Sequence, residues 1–336
     1  MRDDLILLGH GSGGRMSHQL LDDLIVPVIS GLGAREQNDA ALLEAGDTRL
    51  AFTTDGYVVD PPIFPGGSIG SLAVHGTVND LAMMGARPLW LACSLIIEEG
   101  FRREELAAIL ADLRRAADQS GVQVVTGDTK VVPRGKADRL YITTSGVGVL
   151  EHDLAIHGAN AQIGDRIILS GSVGDHGMAV MAAREQLDAG GVVSDSAPLW
   201  GMVESVMEAV GVGLHVLRDP TRGGVATTLK EIARQSGVTL TIDEAAIPIK
   251  PQVKGLCGIL GLDPLYVANE GKLLAFVAPD RADEALAALR RQPLGSDAAI
   301  IGTVEQGGAG RVRLQTTVGG MRIVDMLAGE QLPRIC

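Results

Sequence analysis

Residues 52–88 read FTTDGYVVDPPIFPGGSIGSLAVHGTVNDLAMMGARP. The stretch opens inside RLAFTT (49–54), an apolar run with the length and bounding residues of a strand. From Ser68 to Gly85 small residues recur at helical spacing, which predicts a helix packed closely against its neighbours. PLWLACSLII (88–97) returns to a strand. Asp55 and Asp80 stand at or just beyond the ends of these elements, each beside Thr, Asn or Gly and bordering apolar sequence.

To either side of this stretch, strands and helices stay mixed. Toward the N-terminus, LILL (5–8) predicts a short buried strand, GHGSGG (9–14) a glycine loop, residues 16–25 a helix ending near Pro27, and residues 40–44 a strand. Toward the C-terminus, FRREELAAILADLRRAADQSG (101–121) is an amphipathic helix stopped by Gly121, followed by strands at VQVVTGD and LYITTSGVGVL (140–150). The second half repeats an order of strand, glycines and helix, as in HVLRD before RGGVATTLKEIARQSG, and closes with short strands about AAIIGTV, RVRLQ and GMRIV. The expected fold class is α+β. A length of 336 residues exceeds one comfortable core, so two domains are expected, 1–155 and 156–328, with a mobile tail at 329–336.

A content of 46% hydrophobic and 21% charged residues is that of a globular enzyme rather than a disordered chain. The net charge of −12, with no basic stripe, excludes a nucleic-acid backbone as partner. No apolar run approaches the roughly 20 residues of a membrane span, and the N-terminus lacks a secretory apolar core. Cys93, Cys257 and Cys336 lie far apart without a CxxC pair, which argues against a zinc site or disulfide scaffold and for a reducing, cytoplasmic setting. Cys93 and Cys257 read as small buried hydrophobes.

GHGSGG fits the glycine spacing of a dinucleotide-binding loop, but no apolar strand with a closing acidic residue follows it, so that site is not expected. Asp39, Asp55, Asp80 and Asp128 share one kind of setting within the first domain. Any one of them suits a turn or a helix cap. Gathered by the fold, four carboxylates would repel one another unless a divalent cation joined them, and Mg²⁺ prefers such oxygens together with substrate phosphates. Lys130 follows Asp128 by two and suits a phosphate oxygen. Arg222, Gly223 and Gly224 open a helix, as an anion site does. Glu270 and Lys272 in NEGKLLAF fall on one extended face at i, i+2. His75, inside the small-residue helix, reads as a core histidine. For the terminal Cys336 two readings stand, a reactive arm and a frayed end. Leu332 and Ile335 give that tail apolar handles, Pro333 stiffens it, and Arg334 can offset the terminal carboxylate.

The 52–88 block, together with LGHGSGGRMSHQLL, QNDAA, VTGDTKVV, RDPTRGG, NEGK and the closing PRIC, resembles the HypE family of hydrogenase maturation factors, and the likeness runs from end to end. That family is similar to aminoimidazole ribonucleotide synthetase and selenophosphate synthetase. The resemblance implies two α+β domains of that type, the first forming a dimer β-barrel. It further implies that HypF carbamoylates Cys336, that ATP with Mg²⁺ drives dehydration to a thiocyanate, and that the cyano group passes to iron on the HypC–HypD complex. Asp39, Asp55, Asp80 and Asp128 would hold the metal, and these with Lys130, Arg222, Gly223 and Gly224 the nucleotide, with Lys130 also catalytic as a phosphate clamp or activator. Glu270 would accept protons, with Lys272 or His75 assisting, and the glycine loop would cover the nucleotide. The alternatives are an ATP-gated scaffold that only docks maturation partners, and small-molecule phosphotransfer as in selenophosphate synthetase. The latter would be expected to carry Cys or selenocysteine in the glycine loop, and GHGSGG has neither.

Overall fold

Alternation along Thr48–Tyr57 turns Ala51, Thr53 and Tyr57 inward and Phe52, Thr54 and Gly56 outward, and this period of two sets the first sheet. The structure, a computed structural model, describes residues 5–29, 38–308, 310–327 and 334–336. At its start α1 (Arg15–Leu20) runs through a π turn, Leu21–Ile25, into α2 (Val26–Ile29). Strands β1 (Ala41–Ala45), β2 (Thr48–Tyr57), β5 (Arg87–Glu98), β6 (Gln123–Val132) and β7 (Leu140–Val149) form a sheet in the order β1-β2-β7-β5-β6. Only β5 and β6 pair in parallel; a two-residue pair, β3 (Ile63–Phe64) and β4 (Gly67–Ser68), stands apart.

The small-residue helix is α3 (Ile69–Met83), capped by the Ser68 hydroxyl accepting from the Gly70 N–H at 3.2 Å. It lies almost wholly buried on the inner face of the sheet. Gly76 sits where any Cβ would collide with the Tyr57 ring, so the close approach of helix to sheet depends on glycine there. The amphipathic helix α4 (Arg103–Ser120) covers α3 with Ile109, Leu113, Ala116 and Ala117 and ends on left-handed Gly121.

The second sheet is built from β8 (Arg166–Leu169), β9 (Leu214–Arg218), β10 (Thr239–Asp243), β11 (Leu274–Val277), β12 (Ala299–Glu305), β13 (Arg311–Gln315) and β14 (Met321–Val324). Its order is β14-β13-β10-β12-β8-β11-β9, antiparallel except between β10 and β13. The intervening helices are α5 (Asp175–Arg184), α6 (Trp200–Val210), α7 (Gly224–Ser236), α8 (Pro251–Leu260) and α9 (Ala282–Arg290). Val225, Leu229 and Ile232 of α7 bury one face with Ile167, Leu240 and Phe276. Val203 and Val206 of α6 and Ala285 and Leu289 of α9 bury the other with Ile168, Leu217 and Ala275. Both halves are therefore α+β, as expected.

Two expectations need correction. LILL is not a strand: Leu5, Ile6, Leu7 and Leu8 are exposed, and Leu8 opens a 3-10 turn with no described strand beside it. The helix expected to end near Pro27 continues to Ile29, because the preceding π turn relaxes the ladder where proline offers no N–H. At the C-terminus Ile335 is 2% exposed and Cys336 8%, both packed with Tyr57, Phe64 and Ile69. Leu332 and Pro333 lie outside the described residues, as does most of 329–336. Among the described residues no helix is long and apolar enough to cross a membrane.

Candidate active site

The two halves meet where β9 ends, against α3 and the residues before β1. Asp219, just past β9, joins Asp39, just before β1, and Asp80, in the last turn of α3; one carboxylate oxygen from each lies within 4.8 Å of the others. The Thr53 hydroxyl is 2.9 Å from both an Asp80 oxygen and the Asp39 carbonyl, which ties β2 to the group. Arg218 pairs with Asp39 at 2.9 Å and with Glu231 at 2.9 Å.

This cluster holds more negative charge than its neighbours offset. Burial raises Asp39 to about 8 against the pull of Arg218, with Asp219 and Glu231 adding to the rise. Burial likewise raises Asp219 to about 6. Burial, Asp219, Asp39 and Asp55 hold the Asp80 carboxyl well above the usual carboxylate range. Three converging carboxylate oxygens fit a hard divalent cation better than they fit one another, and Asp39 keeps one buried oxygen without a partner.

Beside this group lies the chain terminus. Burial holds the Cys336 thiol protonated well above its ordinary range; the Arg222 guanidinium pulls the other way, and the neighbouring Glu270 carboxyl adds to the rise. Arg222 also faces Asp55 at 3.6 Å and donates to the Gly11 carbonyl at 3.1 Å, so the N-terminal glycine loop packs onto it. Gly223 and Gly224 adopt φ of +80° and +62° as the chain turns into α7, which is why Gly stands at both. Glu270 is 3% exposed, one of its oxygens has no partner, and burial with Asp219, Asp195 and Asp55 raises its proton affinity well above the usual range.

Two buried amides hold the surrounding loops. Asn269 donates to the Pro220 carbonyl at 2.9 Å and accepts from the Gly174 N–H at 2.7 Å. Asn79 donates to the Ala197 and Glu270 carbonyls at 3.0 and 3.3 Å. A buried carboxylate cluster, an arginine and a thiol on the chain's own last residue thus share one interdomain junction.

Residues 37–150 match the N-terminal domain of AIR synthase related proteins, and residues 162–315 match the C-terminal domain. Carbamoyl dehydratase HypE of Cupriavidus necator is 53% identical over 331 residues, which cover 98% of this chain and 94% of that one. The chain belongs to the HypE family of carbamoyl dehydratases. It is an enzyme of that kind. Among solved structures, hydrogenase maturation protein HypE in complex with ATP superposes with a TM-score of 0.84 at 49% identity, covering 99% of this chain and all of that one. A HypE–HypF complex gives 0.87 at 45% identity, covering 92% of this chain and 99% of that chain.

In this HypE-family chain the structure brings together Asp39, Asp55, Asp80, Arg222, Gly223, Glu270 and Cys336, and leaves out two residues expected with them. Thr144 of β7 points inward to the Ala73 carbonyl of α3 and pairs with both Asp55 and Cys93, whereas Asp128 pairs with Ser94, one residue on. Asp128 and Lys130 therefore occupy the outer face of the sheet, three strand spacings or about 14 Å from the row of Asp55. There they pair with each other at 2.7 Å, both exposed.

Lys272 does not pair with Glu270: it is buried 3.3 Å from Asp195, because the NEGK loop is not extended and β11 begins only at Leu274. Arg334 turns from the terminus toward Asp138 at 2.6 Å and Asp60 at 3.4 Å, so the cation beside the thiol is Arg222. His75 is a core histidine, bonded to Ser196 at 2.9 Å and lowered to about 4 by burial. Cys257 is buried and Cys93 half-buried in apolar clusters. Asp219, Asn79, Asn269 and Asp195 do not stand out in the sequence. DPTRGG nonetheless carries a signal for Asp219, an acidic residue following a strand and preceding a glycine pair.

Proposed function

We propose that this chain uses ATP to dehydrate a carbamoyl group carried on Cys336 to a thiocyanate, supplying cyanide ligands for the iron of a [NiFe] hydrogenase. The observation that carries the reading is the burial of the terminal thiol against Glu270 and Arg222, beside the Asp39–Asp80–Asp219 cluster.

The carbamoyl oxygen is a poor leaving group, so it takes up the terminal phosphoryl group of ATP while ADP departs. The amide nitrogen gives up its protons, the carbon–oxygen bond breaks, and phosphate leaves with the oxygen. The elements of water are lost from the carbamoyl group, and sulfur keeps a cyano group. Bound Mg²⁺ would neutralise phosphate charge and orient the phosphoryl group, held by Asp39, Asp80 and Asp219 with Asp55 alongside. Arg222 steadies negative charge that develops beside Cys336. Glu270, whose buried carboxyl binds a proton strongly, suits an acceptor for the amide protons once its own has been passed on. The glycine loop on Arg222 excludes water from the sulfur.

HypF would deliver the carbamoyl group, and the HypC–HypD complex would receive the cyano group. The partition into 1–155 for nucleotide binding and dimerisation, 156–328, and a carrier tail at 329–336 belongs to the same reading. Phe52, Trp90 and Ile96 are exposed on the outer face of the first sheet, which supports a homodimer closed through that face. Such a second copy also offers Asp128 and Lys130 a route to a nucleotide that one chain alone denies them. Cys336→Ala should abolish cyanide delivery to iron while leaving ATP binding largely intact; a variant that still supplied cyanide would overturn the carrier role.

A further inference from the structure

The carbonyl next to the reactive residue is held by a histidine with no part in the chemistry described so far. His176, fully buried in the first turn of α5, places Nε2 at 2.8 Å from the Ile335 carbonyl and Nδ1 at 2.8 Å from the Ser194 hydroxyl. A carbonyl only accepts, so Nε2 carries the hydrogen and Nδ1 accepts from Ser194. The Ser194 oxygen in turn accepts the Ser196 N–H at 3.1 Å, and its own N–H is anchored on the Pro65 carbonyl at 2.8 Å. Phe64 packs edge-on to the imidazole, with centroids 5.4 Å apart. Ser194 and Phe64 fix the orientation and height of the ring, and the Ile335 carbonyl selects its tautomer.

The residue next to Ser194, Asp195, faces Glu270. One Asp195 oxygen accepts the Glu270 N–H at 3.1 Å and the other lies 3.3 Å from the Lys272 ammonium. Ser196 closes the turn on His75 of α3 at 2.9 Å. Consecutive side chains of Ser194–Ser196 thus set the tail and Glu270 from one rigid piece of backbone.

We propose that His176, oriented by Ser194, is a positioning residue that registers Cys336 against Glu270. The dehydration arm of its test rests on the proposed function; the docking arm does not. In the full-length protein, two quantities are measured: the rate at which iodoacetamide alkylates Cys336, followed on the C-terminal peptide, and the single-turnover conversion of the carbamoylated chain at saturating ATP. His176→Phe keeps a ring against Phe64 and removes both hydrogen bonds. It should alkylate roughly tenfold faster and convert roughly tenfold slower, the scale of one buried hydrogen bond, with ATP binding unchanged. His176→Gln, which restores a donor near the Nε2 position, should recover most of both rates, a rescue that a purely structural role would not show. Ser194→Ala, small enough to fold whatever His176→Phe does, should shift both rates in the same direction by less. Wild-type alkylation in either His176→Phe or Ser194→Ala would overturn the proposal. Faster alkylation in a protein whose wild type makes no cyano product would sink the dehydratase reading and leave the docking role standing.

Discussion

Asp80 and Asp128 mark the two faces of the first sheet, and the contrast between them shows where this protein concentrates its charge. On the inner face Asp80 is held by α3 among Asp39, Asp219 and Thr53, with burial raising its proton affinity. On the outer face Asp128 is exposed, and its bond from Lys130, the Thr129 N–H and the Lys130 charge lower its proton affinity. One site is strained by uncompensated charge and so prepared for a cation. The other is already neutralised in solvent, and a surface pair of that kind contributes little to stability.

The largest test of that contrast is removal of a charge from each face. Asp80→Asn or Asp219→Asn should lower ATP-dependent conversion of the carbamoylated chain by about a hundredfold or more, the scale of losing an electrostatic stabiliser at a transferring phosphoryl group. An effect below tenfold would remove the cluster from the site. Next in size, if the outer face closes the proposed homodimer, Trp90→Glu should give monomers in sedimentation analysis where the unsubstituted chain sediments as a dimer. If Asp128 and Lys130 serve the nucleotide from a second copy, conversion should fall in step with dissociation; full activity in the monomer would break that link.

Acidity separates the two faces further, because they respond in opposite directions. Asp39 titrates at about 8 and Asp219 at about 6 in the folded chain, against about 3.9 for an unfolded aspartate. Between those limits the folded state binds more protons, so stability should fall as pH rises. In the absence of metal the melting temperature should drop between about pH 4 and about pH 8, and Mg²⁺ should suppress the drop. Asp39→Asn should flatten the profile, and a profile unchanged by that substitution would contradict the assignment. Asp128 contributes with the other sign, its small stabilisation being lost on acidification. Smallest of all, Asp128→Asn should leave the Mg²⁺-dependent rise in melting temperature of the isolated chain unaltered, and a reduced rise would place a ligand on the outer face.

Much of the fold was legible because its signals are local. The period of two in RLAFTT, the small-residue run of α3, and the apolar stripe of α4 stopped by Gly121 each declare an element without tertiary help. LILL misled because an apolar run reports a wish for burial and not the presence of a partner strand. Less legible were α8, whose two glycines weaken its helical signal, and β10, a five-residue strand between β12 and β13. At the site, Asp39, Asp55 and Asp80 were legible as carboxylates at element ends. Asp219 was not, because a search confined to one domain misses a ligand that only the meeting of two domains brings in. Asp128 met the same sequence criterion as Asp80, yet the face of a strand depends on register, which no local pattern around it settles. Arg334 was assigned to the nearest charge along the chain, while the folded tail sends it to Asp138 and Asp60 and gives the thiol Arg222 instead.

Everything in this mechanism depends on the last residue carrying the substrate of its own active site. That dependence is tested most directly by the mass of the C-terminal peptide after the carbamoylated protein is incubated with ATP and Mg²⁺. The adduct on Cys336 should lose the mass of one water, with ADP and phosphate formed in equal amount. A carbamoyl adduct left unchanged while ATP is consumed would contradict the carrier role.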